Sequence, residues 1–257
     1  MQAQGRCSPH MPAMIGPRSI FFACVLVLVA SPVTTHAQPV VSSRQMVATA
    51  HPLASEAGRE MLRRGGSAVD AAIAAALVLS VVEPHASGIG GGAVMMAWDQ
   101  STGTLRHFDG VSAAPRAVGS SLLTAEERAP PRRDMLLRSA RAAAVPGEIA
   151  LLALAHERQG RLPWASLFAP ALAAAEAGFA MPREMAIVLG RSPSGYAAVP
   201  ELRQLYFDAS GQPLPAGTIL HNPDQAAALR LLAARGPAAL YGGEIGQIGR
   251  ASCRERV

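Results

Sequence analysis

The sequence predicts an α/β fold on three observations: an almost wholly apolar run over residues 68–82, a glycine-rich loop directly after it, and two strand-like runs beyond the loop. The apolar run has helical length, and a helix that is apolar on every side must be buried. Ser67 is a good N-cap for it, and Asp70 three residues on completes a capping-box signal. At about 15 residues the run falls short of the roughly 20 needed to span a bilayer. Pro84 ends it. Gly88, Gly90, Gly91 and Gly92 then permit backbone conformations that other residues resist, and let another group approach the main chain. Residues 94–98 read as a buried strand, and residues 104–108 as its return after a turn at 100–103.

Along the rest of the chain, residues 46–54 predict a strand with a turn at His51-Pro52, His51 serving as a local cap or core residue. Ser55 then caps a helix through Arg64, which Gly65 closes. Residues 122–141 are charged and broken by proline, a mixture of helix and loop whose Pro130-Pro131-Arg132-Arg133 is a surface turn. Ala143-Ala144-Val145-Pro146-Gly147-Glu148 starts a helix that runs to about Arg158, and another covers residues 164–178. Residues 190–222 are rich in Pro, Gly and Ser with few periodic signals. Asn222-Pro223-Asp224 opens a last helix over 225–234, closed by Gly236-Pro237.

Composition bounds the function. Half of the 257 residues are hydrophobic and 16% are charged, which is a folded composition. All 23 basic residues are arginine, and the net charge of +5 sits mostly at the ends. Between Gln38 and Gly249 there are 18 arginines against 17 acids, a net of +1, with no basic patch interleaved with aromatics, so nucleic-acid binding is not expected. Residues 1–37 resemble an export signal: Arg18, an apolar run over 20–30, a Ser31-Pro32 break, and Thr35-His36-Ala37 as a small-x-small cleavage site. That predicts a periplasmic or secreted protein without a stable membrane anchor. Cys7 and Cys24 fall in this leader and Cys253 in the tail, so the body needs neither disulfide nor thiol nucleophile. The scattered histidines show no metal-ligand spacing, and no metal or cofactor is expected. The glycine loop lacks the strand-before, helix-after order of a dinucleotide fingerprint and no Gly-Lys-Ser/Thr follows it, which leaves a tight turn in a buried core.

The string GGSAVDAAIAAALVLSVVEPHASGIGGGAVMMAWD closely resembles the N-terminal signature of gamma-glutamyltransferases, with Ser67 where that family usually has Asn. The segments MVATAHPLASEAGREMLRRGG, AVPGEIALLALAHERQGRLPWASLFAPALAAAEAGFAM and ALYGGEI also resemble it, so the likeness runs from about Met46 to about Gln247. The resemblance implies an N-terminal-nucleophile hydrolase with a four-layer αββα sandwich, of which this chain is the N-terminal, large-subunit portion over 38–249. It implies gamma-glutamyl transfer to amino acceptors or water, through a threonine exposed by self-cleavage at the start of the small subunit. That threonine is expected downstream of this chain, so no catalytic residue is assigned here and the small subunit of the same precursor is the expected partner. Thr34-Thr35-His36 mimics the family's T-T-H but lies upstream of the loop, and is read as chance.

One departure stands out. Where the family has D-G-R-E-x-A-P, this chain has Asp109-Gly110-Val111-Ser112-Ala113-Ala114-Pro115. The resemblance makes Asp109 and Val111 the substrate-binding positions, with Val111 replacing the arginine that grips the donor's alpha-carboxylate. Arg106 and Arg116 are the nearby candidates to compensate. Two further readings stay open: a relative acting on a different acyl donor, as an amidase or acylase, and a non-catalytic scaffold or binding protein. Residues 250–257 depart from the family's helix and read as an atypical, truncated or read-through tail.

Overall fold

The computed structural model describes residues 41–115 and 143–247. The chain divides into two units at Ser43/Arg44, and the account below concerns the second, Arg44–Val257. The leader, residues 116–142 with Arg116 and the Pro130–Arg133 turn, and the tail all lie outside the described residues.

Helix α1 spans Pro52–Arg63. It begins earlier than the sequence suggests, and residues 46–50 form no strand. The reason is local: His51 is the N-cap, its Nδ1 accepting from the Leu53 N–H at 3.2 Å, and Pro52 occupies the first helical position. Ser55 therefore lies inside the helix and pairs with Thr49 Oγ1. Arg64 is the C-cap, and Gly65 follows at φ 86° as a helix-terminating glycine.

Helix α2, Ala68–Val82, is the centre of the molecule. Eleven of its fifteen residues are buried, as its uniform apolarity requires. Both halves of the capping box form: the Asp70 N–H donates to Ser67 Oγ at 3.1 Å and the Ser67 N–H to Asp70 Oδ2 at 2.8 Å. Asp70 is wholly buried, and its Oδ2 also accepts from the Arg161 and Leu162 N–H groups at 2.9 and 3.2 Å. A carboxylate taking several backbone donors repays its burial through charge-assisted bonds. It ties the start of α2 to a loop 91 residues away, a link that local pattern cannot reveal.

The glycine loop leads into β1, Ala93–Asp99, which pairs antiparallel with β2, Thr104–Gly110, in a register from Ala93↔Gly110 to Asp99↔Thr104. Gly103 at φ 63° turns the hairpin. The expectation of a buried strand is half right. Met95 and Ala97 pack against the core. Val94, Met96 and Trp98 on the other face are 55%, 66% and 58% exposed, and Leu105 beside them is 54% exposed. Among the described residues this sheet has two strands, and its outer face is exposed.

Helix α3, Glu148–Gln159, lies against the hairpin and α2. A 3₁₀ turn, Trp164–Phe168, runs into α4, Ala169–Ala177. Trp164 donates from Nε1 to the Leu232 carbonyl at 2.9 Å and meets Phe168 edge-on at 5.0 Å. Strand β3, Phe179–Ala180, follows. The stretch after it holds three short helices that the sequence does not announce: α5 Arg183–Arg191, α6 Pro193–Ala197 and α7 Pro200–Tyr206. Pro begins α6 and α7 but their few residues carry too little periodicity to read. Strand β4, Ile219–Leu220, pairs with β3. Helix α8, Pro223–Arg235, is capped by Asn222, whose Oδ1 accepts from the Gln225 N–H. Gln225 Nε2 in turn donates to the Ser80 carbonyl at 2.8 Å, satisfying the buried C-terminal turn of α2. Helix α9, Ala238–Tyr241, comes last.

Candidate functional site

The site lies where the C-terminal end of α2 delivers the glycine loop to the start of β1. None of Gly88, Gly90, Gly91 and Gly92 has a positive φ. The loop is a turn closed by the Gly91 N–H donating to the Gly88 carbonyl at 2.9 Å. Close approach, not unusual backbone angles, accounts for its glycines, and it is concentrated at Gly92: a Cβ there would lie 2.5 Å from the Ser112 nitrogen and 2.8 Å from the Gly110 oxygen. No atom would come within 4 Å of a Cβ at Gly88 or Gly90.

Two glycines that sequence reasoning did not single out complete the junction. A Cβ on Gly147 would sit 2.1 Å from the Gly110 oxygen, and one on Gly110 would sit 2.5 Å from Leu151 Cβ. Three backbones thus meet without side chains between them. Gly147 and Glu148 donate their N–H groups to the Gly91 carbonyl at 2.9 and 3.2 Å, so the glycine loop caps the N-terminus of α3 in trans. Ala113 and Val145 exchange backbone hydrogen bonds beside it at 3.1 and 2.8 Å. From the far end of the chain, Tyr241 Oη donates to the Pro146 carbonyl at 2.8 Å and accepts from the Ala150 N–H at 3.2 Å. The Asp-Gly and Pro-Gly dipeptides signal turns in the sequence, but nothing local shows that they touch.

Asp109 and Val111 stand on the outer rim of this junction. Asp109 Oδ1 accepts from the Val111 N–H at 2.9 Å, a side-chain turn that fixes how residue 111 is presented. Val111 is 63% exposed. Arg106, a nearby arginine, lies away from Val111: strand alternation puts it on the face of β2 that carries Phe108, opposite Asp109, and about 16 Å of strand separates it from residue 111. Behind the rim, Glu148 is 7% exposed, and burial pushes its carboxyl up to about 7. Burial likewise raises the Tyr241 phenol, with the Glu148 charge adding to the rise. Among the described residues no three His, Cys, Asp or Glu side chains come together to hold a metal ion.

The described fold, with α2 as a buried spine, helices packed on it and a hairpin bared on one face, is that of N-terminal-nucleophile hydrolases. The gamma-glutamyltranspeptidase of Helicobacter pylori superposes with a TM-score of 0.77 over 84% of this chain and 62% of that one, at 26% identity. The gamma-glutamyltranspeptidase family model matches residues 54–252. The chain belongs to the gamma-glutamyltranspeptidase family. Bovine glutathione hydrolase 7 is 38% identical over 72% of this chain and 27% of its own length. The acylase ACY 1 proenzyme of Pseudomonas sp. (strain V22) is 37% identical over 83% of this chain and 39% of its own. The chain spans about a third of the length of the curated relatives it matches.

Proposed function

We propose that this chain is the large-subunit part of an exported enzyme that transfers an acyl group from a gamma-glutamyl or related donor to water or an amino acceptor. The observation that supports it is the junction itself: Asp109 holds Val111 at an exposed rim backed by the glycine loop, and the resemblance implies that these two are the substrate-binding positions. In this reading the large subunit binds and orients the donor, while the small subunit of the same precursor supplies the threonine nucleophile and the donors that stabilise the developing oxyanion. The bare apolar face of the hairpin, with Val94, Met96, Trp98 and Leu105, suits a partner that supplies the second sheet of the sandwich. Export rests on the leader-like residues 1–37, and the domain limits remain 1–37, 38–249 and 250–257.

A second reading is favoured by Val111. A gamma-glutamyl donor carries an alpha-carboxylate that must be desolvated on binding, and a valine offers it no hydrogen bond. An acyl donor without that group would lose nothing, which fits likeness to an acylase as well as to glutathione hydrolases. The full-length precursor separates the two through kcat/KM for a gamma-glutamyl anilide against a glutaryl anilide, which lacks the alpha-amino and alpha-carboxylate groups. Because a hydrogen bond to a charged group is worth roughly 1.5–3 kcal/mol, Val111→Arg should raise gamma-glutamyl turnover by about one to two orders of magnitude. A wild type that already prefers the gamma-glutamyl donor, with no gain in the variant, would remove the altered-donor reading. Turnover of neither anilide would sink the enzymatic reading in favour of a scaffold.

A further inference from the structure

Residues 145–147 form the floor of the junction, and they have few anchors of their own. Pro146 has no N–H to donate, Gly147 has no side chain, and no side chain caps α3 from its own N-terminus. Yet this floor sets the place of the rim. Val145 and Ala113 exchange backbone hydrogen bonds at 2.8 and 3.1 Å. A Cβ on Gly147 would lie against Gly110 and only 2.9 Å from the Val111 oxygen. Residues 110–113 therefore rest on 145–147 backbone to backbone, and close packing passes a shift of one on to the other.

Two groups from elsewhere in the chain hold that floor. One is the Gly91 carbonyl, which takes the Gly147 and Glu148 N–H groups. The other is the Tyr241 hydroxyl, 95 residues beyond Pro146. It donates to the Pro146 carbonyl at 2.8 Å and accepts from the Ala150 N–H at 3.2 Å. It thus bridges the two sides of Gly147, the N-cap of α3, and acts there as donor and acceptor at once. Its own helix is seated by Ala239, which is buried in the core. The tyrosine therefore ties a fixed element to a segment that cannot anchor itself.

We propose that Tyr241 is a positioning residue for the donor site: through Pro146 and Gly147 its hydroxyl sets where residues 110–113, and with them Val111, stand toward the donor. This rests on the reading of Asp109 and Val111 given above. Tyr241 meets no donor itself and acts through the floor. The Asp109 carboxylate orients the Val111 N–H locally at 2.9 Å, and the hydroxyl of Tyr241 places the whole turn. Small displacements of a binding group matter because a misplacement of about 1 Å can cost two orders of magnitude in rate.

Tyr241→Phe, which keeps the ring, is compared with Trp164→Phe, which loses the Nε1 bond to the Leu232 carbonyl away from the junction. In the chain itself, the Ala113 and Val145 amides should exchange hydrogen about fivefold faster in Tyr241→Phe and change little in Trp164→Phe. In the full-length precursor, Tyr241→Phe should raise KM for the preferred anilide about fivefold with kcat within about twofold, since a displaced binding group weakens ground and transition states alike. Trp164→Phe should lower Tm and leave KM as it is. Unchanged exchange at Ala113 and Val145, an unchanged KM in Tyr241→Phe, or an equal rise of KM in both variants would each overturn the proposal. Wild-type turnover of neither anilide would overturn the enzymatic reading and the donor role with it. Turnover without a change in KM would overturn the role of Tyr241 alone, so the two failures are distinct.

Discussion

A Cβ at Gly92 would lie 2.5 Å from one backbone atom and 2.8 Å from another, while a Cβ at Gly91 would meet only the Gly88 oxygen, at 3.2 Å. Backbone cannot swing aside as a flexible side chain can, so the two neighbours should respond differently to the same added methyl. We expect Gly92→Ala to cost about 2–3 kcal/mol and Gly91→Ala under about 1 kcal/mol, read as the shift in urea midpoint at unchanged slope. Equal shifts would remove Gly92 as the crowded point of the loop. The sequence marks the four glycines but not which of them is tight, because that depends on Gly110 and Ser112 folding back from the next strand. It fares better where the chemistry is local. The Ser67–Asp70 capping box is visible in four letters and forms as read, and His51 caps its helix. The replacement at Val111 is equally plain in the sequence; that Arg106 points the other way is visible only once β2 is registered against β1.

At the scale of elements, α2 and α8 were legible because length, caps and apolar content agree over a full helix. Helices α6 and α7 were not, since short helices inside a Pro- and Gly-rich stretch draw their order from packing; α5, Arg183–Arg191, lies just before that stretch and was not read either. The start of α3 shows how tertiary contacts take over a local task. Its N-cap, Gly147, has no side chain to cap with, and the work falls to the Gly91 carbonyl and the Tyr241 hydroxyl. Tyr241→Phe removes the acceptor of the Ala150 N–H and the donor to the Pro146 carbonyl while keeping the ring. Losing a part-buried bond at Pro146 and an exposed one at Ala150 costs about 1 kcal/mol. Hydrogen exchange should locate the loss: the Ala150 amide should exchange about tenfold faster in the variant, with the amides of α1 little changed. Uniform acceleration across the chain, or none at Ala150, would mean that the hydroxyl does not cap α3.

For the whole molecule, the junction joins the end of α2, the end of β2, the start of α3 and α9, so a change in charge at its centre should reach global stability. Glu148 is that charge. An ordinary glutamate ionises near 4.5 in the unfolded chain, whereas burial holds the folded carboxyl protonated until about 7. Below about 4.5 both states carry the proton and the group contributes no pH dependence. Between about 4.5 and 7 the folded state holds more protons than the unfolded one, so stability falls as pH rises, and above 7 the loss stays constant. At 1.36 kcal/mol per unit, and with some contact with water allowed for, the loss is about 2–3 kcal/mol, or several degrees in Tm for a chain of this size. Glu148→Gln keeps the shape and removes the titration. Thermal melts of both proteins at pH 5 and pH 8 give the comparison: the wild type should lose several degrees more than the variant between the two. Parallel changes in the two proteins would show that Glu148 ionises without strain when folded, and would place its carboxylate in contact with a donor or with solvent.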